Sequence, residues 1–206
     1  MVDLPRKKYN IIYADPPWLF NAGIRSSKKM DGKNLFYTPA TTPGAAYSML
    51  SDSEIKTLPV SDIAAEDAIL FLWTTDAHLK SAIEVMEAWR FAYKTVAFIW
   101  NKKEKSGRQV CYYGKWTMKG SELCLLGTKG RIHQRIVSHK VRQLVEAERD
   151  RRFHSRKPNE VRLRIVEMMG DLPRVELFAR ERVDGWDAWG NHLVGEEYQV
   201  NTEKQA

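Results

Sequence analysis

Four consecutive residues, Asp15, Pro16, Pro17 and Trp18, combine a carboxylate, two rigid turn residues and an indole ring. The prolines fix the backbone and remove two N–H donors, so the turn offers carbonyl oxygens beside the carboxylate of Asp15. A planar group with an exocyclic NH₂ has two donors and a π-face, which match Asp15, the Pro16 carbonyl and the Trp18 ring. The sequence therefore predicts a site for an exocyclic amine.

The element that must position this turn is the apolar run before it. Residues 9–14 are rich in β-branched and aromatic side chains, which predicts a buried strand. The turn then falls at the carboxyl end of that strand, where open α/β sheets bind their ligands.

Length and composition restrict the class of protein. A chain of 206 residues is long enough for a single domain, residues 1–206, that buries a core without disulfides or metal. Cys111 and Cys124 lack Cys-x-x-Cys spacing and clustered histidines, so we predict neither a disulfide framework nor a metal site. No leader and no apolar run of membrane length is present, so we expect a cytoplasmic protein without a membrane partner.

The net charge of +7 is concentrated in one part of the sequence. Between Lys129 and Arg164 there are twelve Lys or Arg and four acidic residues, and twelve minus four gives +8. A local basic excess of this kind suits a polyanion such as nucleic acid. A solvated, lysine-rich surface is the alternative, and the composition alone leaves both open.

The rest of the chain alternates apolar strands with helical patterns. Ser51 and Glu54 form a capping box that marks one helix start, and Asp76 is expected to cap a second helix. A third helix begins near Pro158 and ends at Gly170. Further strands are predicted over residues 68–73, 96–100, 123–126 and 175–180. The alternation predicts an α/β fold.

Two long segments have no clear hydrophobic period. Residues 19–46 leave the Asp15 turn and contain glycine, proline and several basic residues, which predicts a mobile loop. Residues 131–156 have few apolar anchors and predict a second segment that is part helix and part mobile loop. We expect both loops to act on substrate or cofactor.

The Asp-Pro-Pro-Trp turn after a hydrophobic strand resembles the signature of amino-methyltransferases, and its tryptophan form is similar to the MT-A70 family of S-adenosylmethionine-dependent adenine N6-methyltransferases. Residues 120–130 resemble the family's Gly-x-Glu-x-Cys-Leu-x-Gly-x-x-Gly segment, and residues 154–160 its Ser-His-Lys-Pro-Asp-Glu element. Residues 176–191 resemble its Glu-Leu-Phe-x-Arg strand and later Trp-x-x-x-Gly-Asn. The resemblance implies a Rossmann-like class I methyltransferase sheet with a permuted motif order, because the cofactor motifs follow the catalytic turn.

The resemblance also implies roles for individual residues. The catalytic residues are Asp15, Pro16, Pro17 and Trp18. The residues expected to contact the substrate are Trp18, Tyr47 and Glu122. Those expected to bind S-adenosylmethionine are Asp15, Lys157, Glu176, Phe178, Arg180, Asn191 and His192. Among these, Asn191 is expected at the adenosine end, Arg180 near the ribose, and Lys157 at the cofactor carboxylate or a substrate phosphate.

An ordinary structural role is the alternative for several of these residues. Tyr47 packs in a turn, Glu122 caps its strand with a surface charge, Lys157 is one more solvated lysine, and Glu176 forms a buried pair with Arg180 or a neighbour. The sequence does not decide between these roles and the functional ones.

The chain also departs from the family pattern at two places. Arg182 and Val183 stand where a His-Asn-like pair is common, and His192 replaces the commoner Gln or Glu. The minor cofactor contacts therefore differ from the family pattern.

The reaction implied is methyl transfer from S-adenosylmethionine to the N6 amine of adenine. This amine is a poor nucleophile because its lone pair is delocalised into the ring, so catalysis depends on positioning the base and polarising its N–H bonds. Asp15 and the Pro16 carbonyl would accept those hydrogens while Trp18 stacks the base, and duplex DNA would first have to extrude it.

DNA is favoured over RNA as the partner because the chain is short and lacks an appended RNA-binding module. The alternatives are an RNA adenine N6-methyltransferase, a cytosine N4-methyltransferase and a non-catalytic nucleic-acid-binding partner subunit. The resemblance also makes a homodimer plausible.

Overall fold

A computed structural model of the chain describes residues 3–19, 49–114, 116–150 and 156–190. Within these ranges seven strands form one sheet in the order β5-β3-β4-β2-β1-β6-β7. The strands are β1 (Tyr9–Ala14), β2 (Ala64–Thr74), β3 (Ala92–Lys103), β4 (Ser121–Lys129), β5 (Leu144–Glu148), β6 (Arg174–Leu177) and β7 (Asp187–Trp189). The helices are α1 (Asp52–Thr57), α2 (Val60–Ile63), α3 (Leu79–Ala88) and α4 (Asn159–Met169), with 3₁₀ helices at Asp76–His78 and Ile132–Arg135.

Among these seven strands, only β4 runs against the direction of the others. It pairs antiparallel with β2 and β3, whereas β1 is parallel to β2 and β6, β6 to β7, and β3 to β5. The carboxyl ends of β1, β2, β3 and β6 therefore lie at one edge of the sheet together with the start of β4. We call this edge the upper edge.

The sheet is buried on both faces, so its central strands are continuously apolar. In β1, Ile12 and Ala14 belong to one core, and Ile11 and Tyr13 belong to the other. Helices α1, α2 and α3 cover the first face, and α4 covers the second. This arrangement confirms the predicted α/β fold with a Rossmann-like methyltransferase sheet.

The predicted elements are present, but the start of β2 and the end of β6 differ from the predicted bounds. Strand β1 has the predicted bounds, whereas β2 begins at Ala64 instead of Ala68. It includes Asp67 because this residue accepts a hydrogen bond from the Asn10 side chain through its carbonyl and one from the Arg131 N–H through its carboxylate. Strand β6 ends at Leu177, before the predicted Arg180, because Phe178 has φ 61° and leaves the extended conformation.

The prediction that Asp76 caps the second helix was wrong. Residues 76–78 form a 3₁₀ turn, and α3 begins after His78 without a side-chain cap. The carboxylate of Asp76 instead forms an ion pair with Lys119. A second difference lies in residues 131–156, where the structure has a 3₁₀ helix and the edge strand β5, while residues 20–46 of the other predicted loop lie outside the described residues.

Two glycines with positive φ provide a matched test of the packing beside β2. Gly130 (φ 63°) faces the Glu66 carbonyl and the Asp67 side chain, whereas Gly107 (φ 77°) has open space around its α-carbon. Gly107→Ala should cost only the left-handed backbone penalty, about 1–2 kcal/mol. Gly130→Ala should cost about 1–3 kcal/mol more because its methyl group would overlap β2. Urea unfolding of both variants measures the difference in the free energy of unfolding. Equal losses would show that β2 shifts to accommodate the methyl group at this position.

Candidate active site

The Asp15-Pro16-Pro17-Trp18 turn leaves β1 at the upper edge and is fixed by backbone hydrogen bonds on both sides. The Asp15 N–H donates to the Leu177 carbonyl at 3.4 Å, and the Pro17 carbonyl accepts from the Leu50 N–H at 2.9 Å. Within the turn, the Pro16 carbonyl accepts from the Trp18 N–H at 2.9 Å. A carbonyl oxygen has two lone pairs, so Pro16 keeps acceptor capacity for a ligand.

Trp18 anchors the turn in the core. Its side chain is 5% exposed, and the indole N–H donates to the Trp73 carbonyl at 3.0 Å. Its ring stacks against the imidazole of His78, with centroids 5.6 Å apart. In this conformation Trp18 presents no open face to a base, so base stacking by Trp18 stays a prediction.

The carboxylate of Asp15 is the outer end of a chain of alternating charges. Lys157 Nζ lies 2.8 Å from Asp15 Oδ2 and 3.0 Å from Glu122 Oε2, and Glu122 Oε1 accepts from Lys102 Nζ. We call these four residues the ion chain. Its two middle members, Lys157 and Glu122, are buried, while the side chain of Asp15 is 19% exposed. The chain therefore ties an accessible carboxylate to an internal cation.

Burial and ion pairing act in opposite directions on the ion chain. Burial lowers the pKa of Lys157, but the charges of Asp15 and Glu122 outweigh it and leave the pKa raised. Burial raises the pKa of Glu122, but Lys157 and Lys102 outweigh it and leave this pKa lowered. Both groups are therefore charged at neutral pH. The ring of Trp73, whose centroid lies 5.4 Å from Lys157 Nζ, adds a cation–π contact.

Four separate elements supply the ion chain. Asp15 follows β1, Glu122 lies in β4, Lys157 precedes α4 and Lys102 lies in β3. Sequence analysis predicted the first three as site residues but did not single out Lys102. The signal for Lys102 was its period-two spacing from Trp100, which puts both side chains on one face of a strand, with Lys102 Nζ 4.9 Å from the indole centroid.

Glu176 forms a buried pair, and its partner is Arg162 of α4. The contact is bidentate, with nitrogen–oxygen distances of 2.7 and 2.8 Å. Arg162 lies 14 residues upstream of Glu176, and no local sequence pattern predicts a contact at that separation. The carboxylate of Glu176 thus holds α4 against β6, and a cofactor contact by Glu176 stays a prediction.

The other residues predicted to hold the cofactor lie on or beyond the segment after β6. Phe178 follows Leu177 at the upper edge in a left-handed conformation, which is unusual for a bulky side chain. Its half-buried ring contacts Trp189 edge to face, with centroids 5.4 Å apart. Arg180 lies two residues further on. Tyr47, Asn191 and His192 lie outside the described residues.

The groups at the upper edge fit the chemistry of S-adenosylmethionine. This molecule carries a carboxylate, an ammonium, a sulfonium and an adenosine. Asp15 offers a partly exposed carboxylate, Lys157 an ammonium and Phe178 an aromatic ring at neighbouring strand ends. Opposite charges and an aromatic face are the partners that such a zwitterionic cation requires.

The basic segment 129–164 contributes less free positive charge than its composition indicates. Lys157 and Arg162 are buried in ion pairs, and Arg149 pairs with Glu104 at 2.6 Å. Part of the basic excess therefore stabilises the fold. Among the described residues, no group of three or more His, Cys, Asp or Glu is arranged to hold a metal ion.

Together, the Rossmann-like sheet and the Asp-Pro-Pro-Trp turn at its upper edge define an amino-methyltransferase. Residues 9–192 match the sequence profile of the MT-A70 family, and the chain belongs to this family. It is accordingly a methyltransferase of the adenine N6 class.

Several characterised proteins are similar to the chain. The type II methyltransferase M.MunI from Mycoplasma sp is 36% identical over 97% of this chain and 84% of its own length. The N(6)-adenine-specific methyltransferase METTL4 from Homo sapiens is 25% identical over 92% of this chain and 38% of its own length. The N6-methyladenosine RNA methyltransferase MTA1 from Pyricularia oryzae is 26% identical over 90% of this chain and 47% of its own length. The chain thus spans most of the first relative and less than half of the other two.

None of the helices in the described ranges is both long and apolar enough to cross a membrane.

The ion chain predicts a specific dependence of stability on Glu122. Glu122→Gln keeps the size of the side chain but leaves Lys157 and Lys102 without their shared negative charge. Breaking a buried ion pair from one side costs about 3–5 kcal/mol, so the free energy of unfolding at pH 7 should fall by about 3 kcal/mol or more. The control is Glu84→Gln, which removes a surface partner of Lys56 and should change stability little because water screens that pair.

The lowered pKa of Glu122 predicts that the loss of stability in Glu122→Gln depends on pH. The native pKa of Glu122 lies below its usual 4.5, so its ion pairs stabilise the fold above pH 4.5 and are lost as the pH falls through the native pKa. The stability difference between wild type and Glu122→Gln should therefore be constant near neutrality and shrink below pH 4.5. Chemical unfolding at several pH values measures it, and a difference that persists in acid would contradict a charge-based role.

Proposed function

We propose that this chain methylates the N6 amine of adenine in DNA, with S-adenosylmethionine as methyl donor. The observation that carries the proposal is the Asp15 carboxylate, which the buried Lys157 holds at the upper edge while it stays partly open to solvent. A carboxylate accepts several hydrogen bonds, so the bond to Lys157 leaves capacity for an amine.

The chain's own groups act on the amine nitrogen of adenine. Asp15 and the Pro16 carbonyl accept hydrogen bonds from its two N–H groups and draw the nitrogen toward tetrahedral geometry, which localises its lone pair. Bound S-adenosylmethionine supplies an electrophilic methyl group on a sulfonium. After transfer the nitrogen has one hydrogen to lose, and Asp15 passes this proton to water through its exposed side.

The remainder of the ion chain positions this carboxylate. Lys157 fixes the orientation of Asp15, and Glu122 with Lys102 fixes Lys157, so the acceptor is in place before substrate arrives. Positioning accounts for much of the rate when the reacting groups are already aligned. Lys157 also stays our candidate for the carboxylate of the cofactor.

The proposed cofactor contacts follow the family pattern. Phe178 and Arg180 lie where β6 ends beside β1, which supports a role at the cofactor. We assign the adenosine end of the cofactor to Asn191, a further cofactor contact to His192, and the entrance for the target base to Tyr47. Glu122 faces the substrate pocket from within the ion chain. Trp18 would stack the base after a shift of His78.

DNA is proposed over RNA on the pattern of similarity. The type II methyltransferase matches at higher identity, and over most of both chains, than the relative whose name specifies RNA. We also propose that the enzyme is cytoplasmic and homodimeric. Its macromolecular partner is nucleic acid.

The substrate is tested by transfer of a labelled methyl group to matched DNA and RNA pools, followed by mass spectrometry of the nucleosides. We expect N6-methyldeoxyadenosine. N6-methyladenosine or N4-methyldeoxycytidine instead would identify the alternative enzymes, and no transfer by a folded protein that binds nucleic acid would identify a non-catalytic subunit.

Asp15→Ala tests the mechanism directly. Methyl transfer should fall by about a thousandfold or more because the main acceptor of the amine hydrogens is lost. Binding of S-adenosylmethionine, measured by calorimetry, should change only a few fold. The control is Asp62→Ala, which removes an exposed carboxylate of α2 and should leave turnover unchanged. Substantial turnover by folded Asp15→Ala would rule out the proposed acceptor.

A further inference from the structure

The connection between β3 and β4 carries aromatic side chains that the catalytic proposal does not use. Its distal part, residues 112–114 and 116–119, we call the aromatic loop. Trp116 is 87% exposed and Tyr113 is 71% exposed, and Tyr112 and Met118 are exposed as well. Large apolar side chains exposed together usually mark an interaction surface, because water solvates them poorly.

The base of the aromatic loop is held firmly although its tip is exposed. Tyr112 and Lys119 exchange two backbone hydrogen bonds, of 2.6 and 2.8 Å. The Tyr112 hydroxyl accepts from Arg149 at 2.7 Å, and Lys119 forms an ion pair with Asp76. The loop is therefore presented on a fixed support.

Topology places this loop beside the proposed active site. Because β3 ends and β4 begins at the upper edge, their connection rises from the edge at which Asp15 lies. Asp76, which anchors Lys119, precedes His78 by two residues, and His78 stacks on Trp18. A ligand held at Asp15 thus lies on the side of the sheet edge from which the loop projects.

The charge of the connection indicates what kind of ligand it binds. Residues 101–120 contain six Lys or Arg and one acid, Glu104, and six minus one gives +5. Lys102, Lys103 and Lys119 form ion pairs with Glu122, Glu146 and Asp76, which lie outside this range. The excess positive charge of the connection therefore rests on Lys105, Arg108 and Lys115. Such a surface repels a second copy of itself across a two-fold axis, since the same charges would face each other. Aromatic faces beside cations instead suit a nucleic acid strand, in which bases stack and phosphates are neutralised.

We infer that the aromatic loop is a stacking platform for bases that flank the target adenine, with Trp116 and Tyr113 as the stacking rings. The inference rests on the proposed function in that its ligand is the nucleic acid substrate. When the target base enters the site, its neighbours lose stacking partners, and exposed aromatic rings at the same edge replace them.

The test compares Trp116→Leu with Trp116→Phe. Leucine keeps an apolar side chain without a π-face, whereas phenylalanine keeps the ring. Loss of one stacked base weakens binding by about tenfold. For Trp116→Leu we therefore expect a KM for DNA that rises about tenfold with little change in kcat, and for Trp116→Phe a value near wild type. The control is Leu163→Ala, which removes an apolar residue of α4 that is as exposed as Tyr113, at 71%.

A second readout does not depend on methylation. Binding of mixed-sequence single-stranded DNA containing 2-aminopurine should quench the fluorescence of that base in wild type and in Trp116→Phe, and less in Trp116→Leu. If no methylation is found but this pattern appears, the stacking inference holds and the proposed function fails. If methylation is found and the Trp116 variants have wild-type KM and quenching, the inference fails and the function holds.

A protein partner is the competing use of an exposed aromatic surface. Sedimentation of wild type and Trp116→Leu distinguishes it. A dimer that dissociates in Trp116→Leu, with unchanged quenching of 2-aminopurine per bound protein, would overturn the stacking inference in favour of self-association.

Discussion

The contact on which the site depends is the ammonium of Lys157 between the carboxylates of Asp15 and Glu122. A buried lysine is unfavourable unless opposite charges surround it, and a buried glutamate requires the same. Each therefore fixes the other, and Lys102 balances the second negative charge. The result is that a partly exposed carboxylate at the end of β1 has a defined orientation even though it belongs to a turn.

The sheet makes this arrangement possible. Because β4 is the one described strand that runs against the rest, its first residues lie beside the last residues of β2 and β3, at the same edge of the sheet as the end of β1. Glu122 at the start of β4 can then meet a lysine that precedes α4 and a lysine at the end of β3. The bidentate pair of Arg162 with Glu176 acts in parallel, since it holds α4 to β6 and so fixes the segment that carries Lys157.

Positive charge has two different uses in this chain. In segment 129–164 several cations are consumed by internal ion pairs, among them the buried side chains of Lys157 and Arg162. In the connection between β3 and β4, Lys102 and Lys119 are also paired, with Glu122 and Asp76, while Lys105 and Arg108 accompany exposed aromatic side chains at the upper edge. Counting charges along the sequence left the first segment open both as a surface for a polyanion and as a solvated surface, whereas the exposed aromatic side chains direct attention to the second.

The sequence by itself determined the α/β class, the position of β1 and the Asp15 turn, and α4 with its end at Gly170. These follow from local rules: hydrophobic period, proline geometry and a left-handed terminator act within a few residues. Tertiary structure alone decided that Glu122, Lys157 and Asp15 join with Lys102, that Glu176 pairs with Arg162, and that Trp18 is buried against His78. The physical reason is that such contacts join residues remote in sequence. Their geometry is set by strand order and direction, which no local pattern encodes.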